Sequence, residues 1–225
     1  MDERVRTQFN ALSSEYDSFR RKLIPAFDVF YSAGIDFLSC AGNEPTVLDV
    51  GAGTGIFTAR LVERYPKATA TLLDFSDNML EIAQKKFSGN GRITYTIGDY
   101  CETELGSAQY DIVISALSLH HLNPEKKRAL FTKVQNSLSK GGEFVNADIV
   151  INADPELAAR FDEQWIAFVR GNIGEGEFFD RFLKSRDVDA PSTVDEQLVW
   201  LKNCGFSRAS CLFNYLNFAV IYARK

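Results

Sequence analysis

Two patterns in this chain have the residue types and spacing to do chemistry. In the first, Val47-Leu-Asp-Val-Gly-Ala-Gly-Thr-Gly55 is an apolar strand running into a glycine-dense turn, and the apolar run Thr69 to Asp74 ends in an acid. In a parallel βαβ unit the turn after the first strand needs glycine, because a side chain there would keep a ligand away from the backbone. An acid closing the second strand can accept from ribose hydroxyls. The pairing marks a pocket for an adenosine-containing cofactor. A dinucleotide fingerprint would put its third glycine where Ile56 stands, whereas the register here is G-x-G-x-G through Gly51, Gly53 and Gly55. A nicotinamide oxidoreductase is disfavoured on that ground.

The second pattern is the adjacent pair His120-His121, the chain's only histidines, which follow the fourth predicted strand, Asp111 to Ser115. Imidazole titrates near neutral pH and can take a proton from an acceptor. If a histidine base exists, it is one of these two. The competing reading is structural, with His120 packing beside the cofactor and His121 bonding a nearby backbone group. The two histidines could in principle gather a metal with Asp148 or Glu143, but adjacent histidines are poorly placed to chelate one ion and no H-x-x-x-H or H-E-x-x-H spacing occurs, so no metal is expected.

The elements that position these residues alternate. Strands are predicted at Thr46 to Val50, Thr69 to Asp74, Ile93 to Ile97, Asp111 to Ser115 and Glu143 to Ile149, with helical patterns beginning near Gly55, Asp77 and Pro124. Such alternation means an α/β domain with a parallel sheet. Asn123-Pro124 reads as an N-cap with proline at the first helical position, and Lys140-Gly-Gly142 as the stop. Before the sheet, Glu3 to about Cys40 is helical, with a second helix starting at Pro25 and turning Phe27, Phe30, Tyr31 and Phe37 inward. After Ile149, Asp154-Pro155 opens an aromatic-rich helical stretch to about Arg186, broken by Gly171-Asn-Ile-Gly-Glu-Gly176. A capped helix from Ser192 to Asn203 and two strands, Phe206 to Phe213 and Tyr215 to Ala223, complete the pattern.

At 225 residues and 45% hydrophobic, the chain can bury one full α/β core. Its 25 basic and 30 acidic residues leave a net charge of −5, and the short clusters Arg20-Arg-Lys22, Lys85-Lys86 and Lys126-Lys-Arg128 read as solvated helix faces. That demotes nucleic acid as a partner. No apolar run approaches the ~18 residues of a membrane span and no signal segment is seen, so a cytoplasmic protein without membrane attachment is expected. Cys40, Cys101, Cys204 and Cys211 form no C-x-x-C pair and read as small buried apolar residues.

The glycine turn, Leu72-Leu-Asp-Phe-Ser-Asp-Asn-Met-Leu80, Gly98-Asp-Tyr100 and Tyr110-Asp-Ile-Val-Ile-Ser-Ala-Leu-Ser-Leu-His-His-Leu122, in that order, resemble the class I S-adenosylmethionine-dependent methyltransferases. The resemblance implies a Rossmann-like fold: a seven-stranded, mostly parallel sheet with helices on both faces and a helical lid. It implies a single domain over 1–225, with an N-terminal helical flap over 1–42 and a lid insertion over 152–192. Carried across by position, Asp49 and the turn Gly51, Ala52, Gly53 and Gly55 would hold the methionine end of S-adenosyl-L-methionine, and Asp74 the ribose. Phe75 and Met79 would flank the adenine, Asp99 would accept from its amino group with Tyr100 alongside, and Ser115 and Ala116 to Leu117 would lie along the cofactor with His120. Tyr16 and Arg21 fall in a segment resembling the flap, where an arginine could pair with the cofactor carboxylate.

Within the family, Phe168-Val-Arg-Gly-Asn172, the Glu177 region, Leu201 to Phe206 and Phe213 to Phe218 resemble the branch containing carboxy-S-adenosylmethionine synthase. The glycine-rich turn departs from that branch and takes the ordinary methyltransferase form. The resemblance therefore implies methyl transfer to a small-molecule acceptor by in-line displacement. Its alternatives are a tRNA-modification enzyme using or making carboxy-S-adenosylmethionine, or an inert cofactor-binding partner subunit. A homodimer is allowed but not required.

Overall fold

The computed structural model describes residues 16–39 and 42–225. The helix expected before residue 16, Cys40 and the side chain of Tyr16 lie outside the described residues. Seven strands form one sheet in the order β3-β2-β1-β4-β5-β7-β6: β1 Thr46–Val50, β2 Thr69–Asp74, β3 Ile93–Ile97, β4 Tyr110–Ala116, β5 Leu138–Ile149, β6 Arg208–Tyr215 and β7 Phe218–Arg224. The first five run parallel, while β7 pairs antiparallel with both β5 and β6. The parallel strands are the short apolar runs expected of a sheet covered on both faces. In β1, Val47 packs into the core on one face, and Leu48 and Val50 into the core on the other.

The helices supply those covers. α1 (Tyr16–Leu23), α2 (Phe27–Asp36), α3 (Ile56–Arg64) and α4 (Asp77–Lys86) precede β3, and α5 (Pro124–Ser137) joins β4 to β5. α6 (Pro155–Ile173), α7 (Glu177–Ser185) and α8 (Val194–Asn203) separate β5 from β6. Asn123 caps α5 by accepting from Lys126 N–H, Asp154 caps α6, and Thr193 and Glu196 form a reciprocal capping box on α8. The strand order reverses between β1 and β4. Beyond the carboxyl ends of those two strands lies the crevice in which open α/β sheets bind ligands.

α6 and α7 cross that crevice. The Trp165 indole donates to the Leu23 carbonyl at 2.8 Å, tying α6 to the end of α1, and its ring meets Phe182 and Phe218 edge-on. α6 and α7 are separated by Gly174-Glu-Gly176, while Gly171 lies inside α6, so only the second and third glycines of the expected break interrupt the helix.

Several boundaries differ from the sequence reading. α2 begins at Phe27, because Ala26 takes a left-handed conformation, and Phe37 beyond its end is 63% exposed. α5 ends at Ser137 and β5 starts at once, so Lys140-Gly-Gly142 lies within a strand instead of stopping a helix. There Leu138 pairs with Tyr110 ahead of an irregularity in the ladder. Among the described residues no helix is long and apolar enough to cross a membrane.

Candidate active site

The glycine turn is docked on the sheet by its own backbone. Gly51 and Ala52 N–H both donate to the Leu73 carbonyl, and Gly53 N–H donates to Asp74 Oδ2 at 2.8 Å. Gly51 has φ +71, and a Cβ there would lie 2.0 Å from Ser118 Oγ, so the close approach of the β1 and β4 turns requires glycine. At Gly53 a Cβ would meet nothing within 4 Å, because its backbone borders the cleft itself.

The cleft, about 570 Å³ including its solvent-open mouth, is lined by Asp49, Gly51 to Thr54, Asp74, Phe75, Met79, Ala116, Leu117, His121 and Arg20. Asp49 is buried. Its Oδ2 accepts from the Thr58 hydroxyl at 2.6 Å, and its Oδ1 has no protein partner. Burial pushes the Asp49 carboxyl up to about 7; the Thr58 bond opposes the rise and the neighbouring Asp74 adds to it. A buried carboxylate oxygen without a partner, facing a cleft, fits a ligand cation. Asp74 is also raised by burial, opposed by N–H donors from Ser76, Gly53 and Phe75. Its oxygens therefore brace the turn as well as border the cleft.

A second cavity, about 950 Å³ including its solvent-open mouth, adjoins the first. Phe19, Trp165, Phe178, Phe182, Phe218, Ile149, Leu23 and Ile24 form its apolar walls, and His120, Asp189, Arg20, Arg181 and Arg186 are its charged or titratable groups. Arg20, Leu117 and His121 line both spaces and mark their junction. Leu117 holds φ +51 there, a strained conformation for a non-glycine residue, pinned by its N–H on the Ala147 carbonyl at 2.9 Å.

The histidine pair sits at this junction on a single 3₁₀ turn, Leu119–His121. His120 Nδ1 lies 2.6 Å from Asp148 Oδ1, with both side chains buried, so Nε2 is turned toward Asp189 Oδ1 at 3.6 Å. His121 Nδ1 lies 3.0 Å from the same oxygen. Burial, and next to it His120, hold the His121 imidazole below its ordinary value, against the pull of Asp189. Lys127 fixes the Asp189 turn: its ammonium donates to Ala190 O at 2.6 Å and Ser192 Oγ at 2.8 Å, and Ala190 N–H donates to His120 O.

The structure gathers Asp49, Gly51, Ala52, Gly53, Asp74, Phe75, Met79 and Ala116 on the cofactor-side cleft and departs from the sequence reading elsewhere. Tyr100 is fully buried, its hydroxyl bonded to Ser118, and Ser115 Oγ donates to the Val50 carbonyl, so both pack behind the cleft. Asp99 accepts from Cys101 N–H and is absent from the cleft wall, and Gly55 sits at the start of α3 behind the turn. His120 lines only the second cavity, whereas His121 lines both. Arg21 forms a bidentate pair with Asp28 and stacks over Phe27 on the surface; Arg20, one residue earlier, is the arginine at the junction. The adjacent histidines, expected to be poorly placed to chelate one ion, each bring one ring nitrogen within 4.8 Å of the other's and of an Asp189 oxygen.

The family described as "Methyltransferase domain" matches residues 47–142. A carboxy-S-adenosyl-L-methionine synthase from Helicobacter hepaticus is 26% identical, over 97% of this chain and 94% of its own length. One from Chromohalobacter salexigens is 29% identical over 80% of this chain and 68% of its own. Among solved structures, a putative O-methyltransferase from Nostoc punctiforme superposes with TM-score 0.68 at 20% identity, covering 96% of this chain and 60% of that one. Human N-acetylserotonin methyltransferase in complex with SAM gives 0.63 at 18% identity, covering 97% and 59%. The chain thus spans about 60% of the length of these two solved proteins.

Fold and glycine-turn site define a Rossmann-like, S-adenosylmethionine-utilising enzyme. Residues 47–142 match the methyltransferase domain, and along nearly its whole length the chain is similar to carboxy-S-adenosyl-L-methionine synthases.

Proposed function

We propose that this enzyme transfers a methyl group from S-adenosyl-L-methionine to a small-molecule acceptor held beneath α6 and α7. The observation that carries the reading is the junction: a polar cleft on the glycine turn and a larger aromatic cavity meet at Leu117 and His121. When bound, S-adenosylmethionine supplies an electrophilic methyl on a good leaving group. The protein's task is then to align the acceptor and exclude water. Asp49 would receive the cofactor's ammonium, the Gly51–Gly53 backbone would border its methionine end, Asp74 would take ribose hydroxyls, and Phe75 and Met79 would contact the adenine.

The acceptor lies against Phe178, Phe182 and Trp165 with its reacting atom at the histidine turn, where its proton is handled. Asp148 is the positioning residue, because its bond to Nδ1 fixes the ring and presents Nε2 to the cavity. A cavity of this shape, in an acidic chain with scattered basic clusters, suits a compact ligand better than a polynucleotide. We read α6 and α7 as a lid whose break at Gly174 and Gly176 lets α7 move. S-adenosylhomocysteine release, measured on purified protein with fractionated small metabolites, tests the reading. Turnover confined to an RNA fraction would overturn it.

A second reading, that the chain makes or uses carboxy-S-adenosylmethionine, is favoured by the activity carried in the names of relatives aligned along nearly the whole chain. Mass spectrometry of the ligand that co-purifies separates the two: the ordinary cofactor or its demethylated product supports methyl transfer, and the carboxylated form supports the synthase.

A further inference from the structure

We propose that His120, His121 and Asp189 form a divalent-metal site at the junction of the two cavities. One nitrogen from each ring and one Asp189 oxygen lie within 4.8 Å of one another. Asp189 Oδ1 is 3.0 Å from His121 Nδ1 and 3.6 Å from His120 Nε2. Ligand atoms bound at 2.0–2.2 Å to a single ion stand roughly 3.0–3.4 Å apart, so these spacings bracket what one ion needs.

Two further observations favour a cation over a plain hydrogen-bonded cluster. Asp189 Oδ1 is buried, 3.0 Å from His121 Nδ1 and 3.6 Å from His120 Nε2, and among the described residues it completes no well-formed hydrogen bond. A central ion would satisfy it. In addition, Asp148 engages His120 through the ring nitrogen that is not aimed at Asp189, at 2.6 Å. That carboxylate–histidine arrangement is how metal-binding imidazoles are oriented and made more basic.

The fold holds the third ligand in place without help from a metal. Ala190 N–H bonds the His120 carbonyl, and the Lys127 ammonium is occupied by Ala190 O and Ser192 Oγ. Asp189 is therefore held beside the histidine turn. Two histidines and one carboxylate leave coordination positions open toward the aromatic cavity, the pattern of a catalytic rather than a structural ion. An acceptor oxygen binding there would be polarised and would lose its proton more readily to water at the open cleft, with His120 held in place by Asp148. That role rests on the methyl-transfer reading; the binding of the ion does not.

The test is titration of chelator-stripped full-length protein with Co2+, followed by its visible absorption bands, and competition by Zn2+. The expected result is one saturable equivalent that is lost in Asp189→Ala, with affinity about 10- to 100-fold weaker in Asp148→Asn. Calorimetric binding of S-adenosylmethionine by each variant shows that its fold is intact. Wild-type protein that binds the cofactor but takes up no more Co2+ or Zn2+ than Asp189→Ala overturns the metal site and leaves the methyltransferase reading standing. Wild-type protein that binds one equivalent of metal but no S-adenosylmethionine supports the site and overturns that reading.

Discussion

His120 Nδ1 and Asp148 Oδ1 stand 2.6 Å apart, with neither side chain more than 5% exposed. Asp148 lies in the buried run that closes β5, and His120 lies on the turn after β4, so the parallel pairing of those two strands makes the contact. The pair is the most direct link between the sheet and the proposed chemistry. A buried carboxylate on Nδ1 selects one ring orientation and leaves Nε2 for the acceptor side.

Replacing Asp148 with Asn should therefore impair turnover while sparing cofactor binding. Loss of an aligned proton-handling group is worth typically 10²- to 10⁴-fold in rate, and kcat should fall in that range with cofactor Kd unchanged. Steady-state kinetics with the identified acceptor, alongside calorimetry, checks both parts. An unchanged kcat would remove the histidine turn from the mechanism.

Asp49 makes cofactor binding depend on pH. Its carboxyl is raised from 3.8 to about 7 by burial, so the native state holds this proton more tightly than the unfolded chain does. Its contribution to stability is full below the unfolded value and is lost as pH rises toward 7, roughly 4 kcal/mol in all. Asp49→Asn should gain stability relative to wild type across that interval, seen as a difference in melting temperature that widens with pH. Because the cofactor's ammonium selects the ionised carboxylate, affinity should fall as pH drops below about 7, with proton release on binding in calorimetry. A flat affinity profile from pH 5.5 to 8 would place the ammonium elsewhere.

Gly53 borders open cleft space with its φ at +54. Gly53→Arg should fill that space and abolish S-adenosylmethionine binding in a folded protein. Asp74→Ala should weaken binding through the loss of a charge-assisted bond worth roughly 1.5–3 kcal/mol, and should also loosen the turn whose Gly53 N–H it holds. Undiminished affinity in both variants, measured by calorimetry, would remove the cofactor from this turn.

Lys127 is a buried ammonium that fastens the Asp189–Ser192 segment to the histidine turn. Lys127→Met removes both bonds and leaves buried acceptors unsatisfied, with a cost of about 1–3 kcal/mol. A lowered melting temperature and faster hydrogen exchange confined to residues near 189–193 are expected. Exchange unchanged there would mean the turn is held by other contacts.

The sheet was legible because its parallel strands are short apolar runs separated by glycine and helix caps, signals carried by neighbours in sequence. The cofactor-side residues Asp49, Gly53 and Asp74 were legible for the same reason, being tied to strand ends. The bond from Asp148 to His120 and the places of Asp189 and Arg20 were not legible, because they arise only when distant segments meet: His120, on the turn after β4, and Asp148, in β5, are 28 residues apart. Helical phase decided between Arg20 and Arg21, and at the end of a short helix the sequence does not set it. Tyr100 and Ser115 fit the expected positions by offset, yet both turn their hydroxyls into the protein, toward Ser118 and Val50.

The most direct test of the central claim is to incubate the purified chain with S-adenosylmethionine carrying a labelled methyl group and a metabolite extract, then separate small molecules from RNA and protein. The account predicts label in a small-molecule product, formed in step with S-adenosylhomocysteine and lost in Gly53→Arg. Label confined to RNA, or a carboxylated cofactor in place of any methylated product, would contradict it.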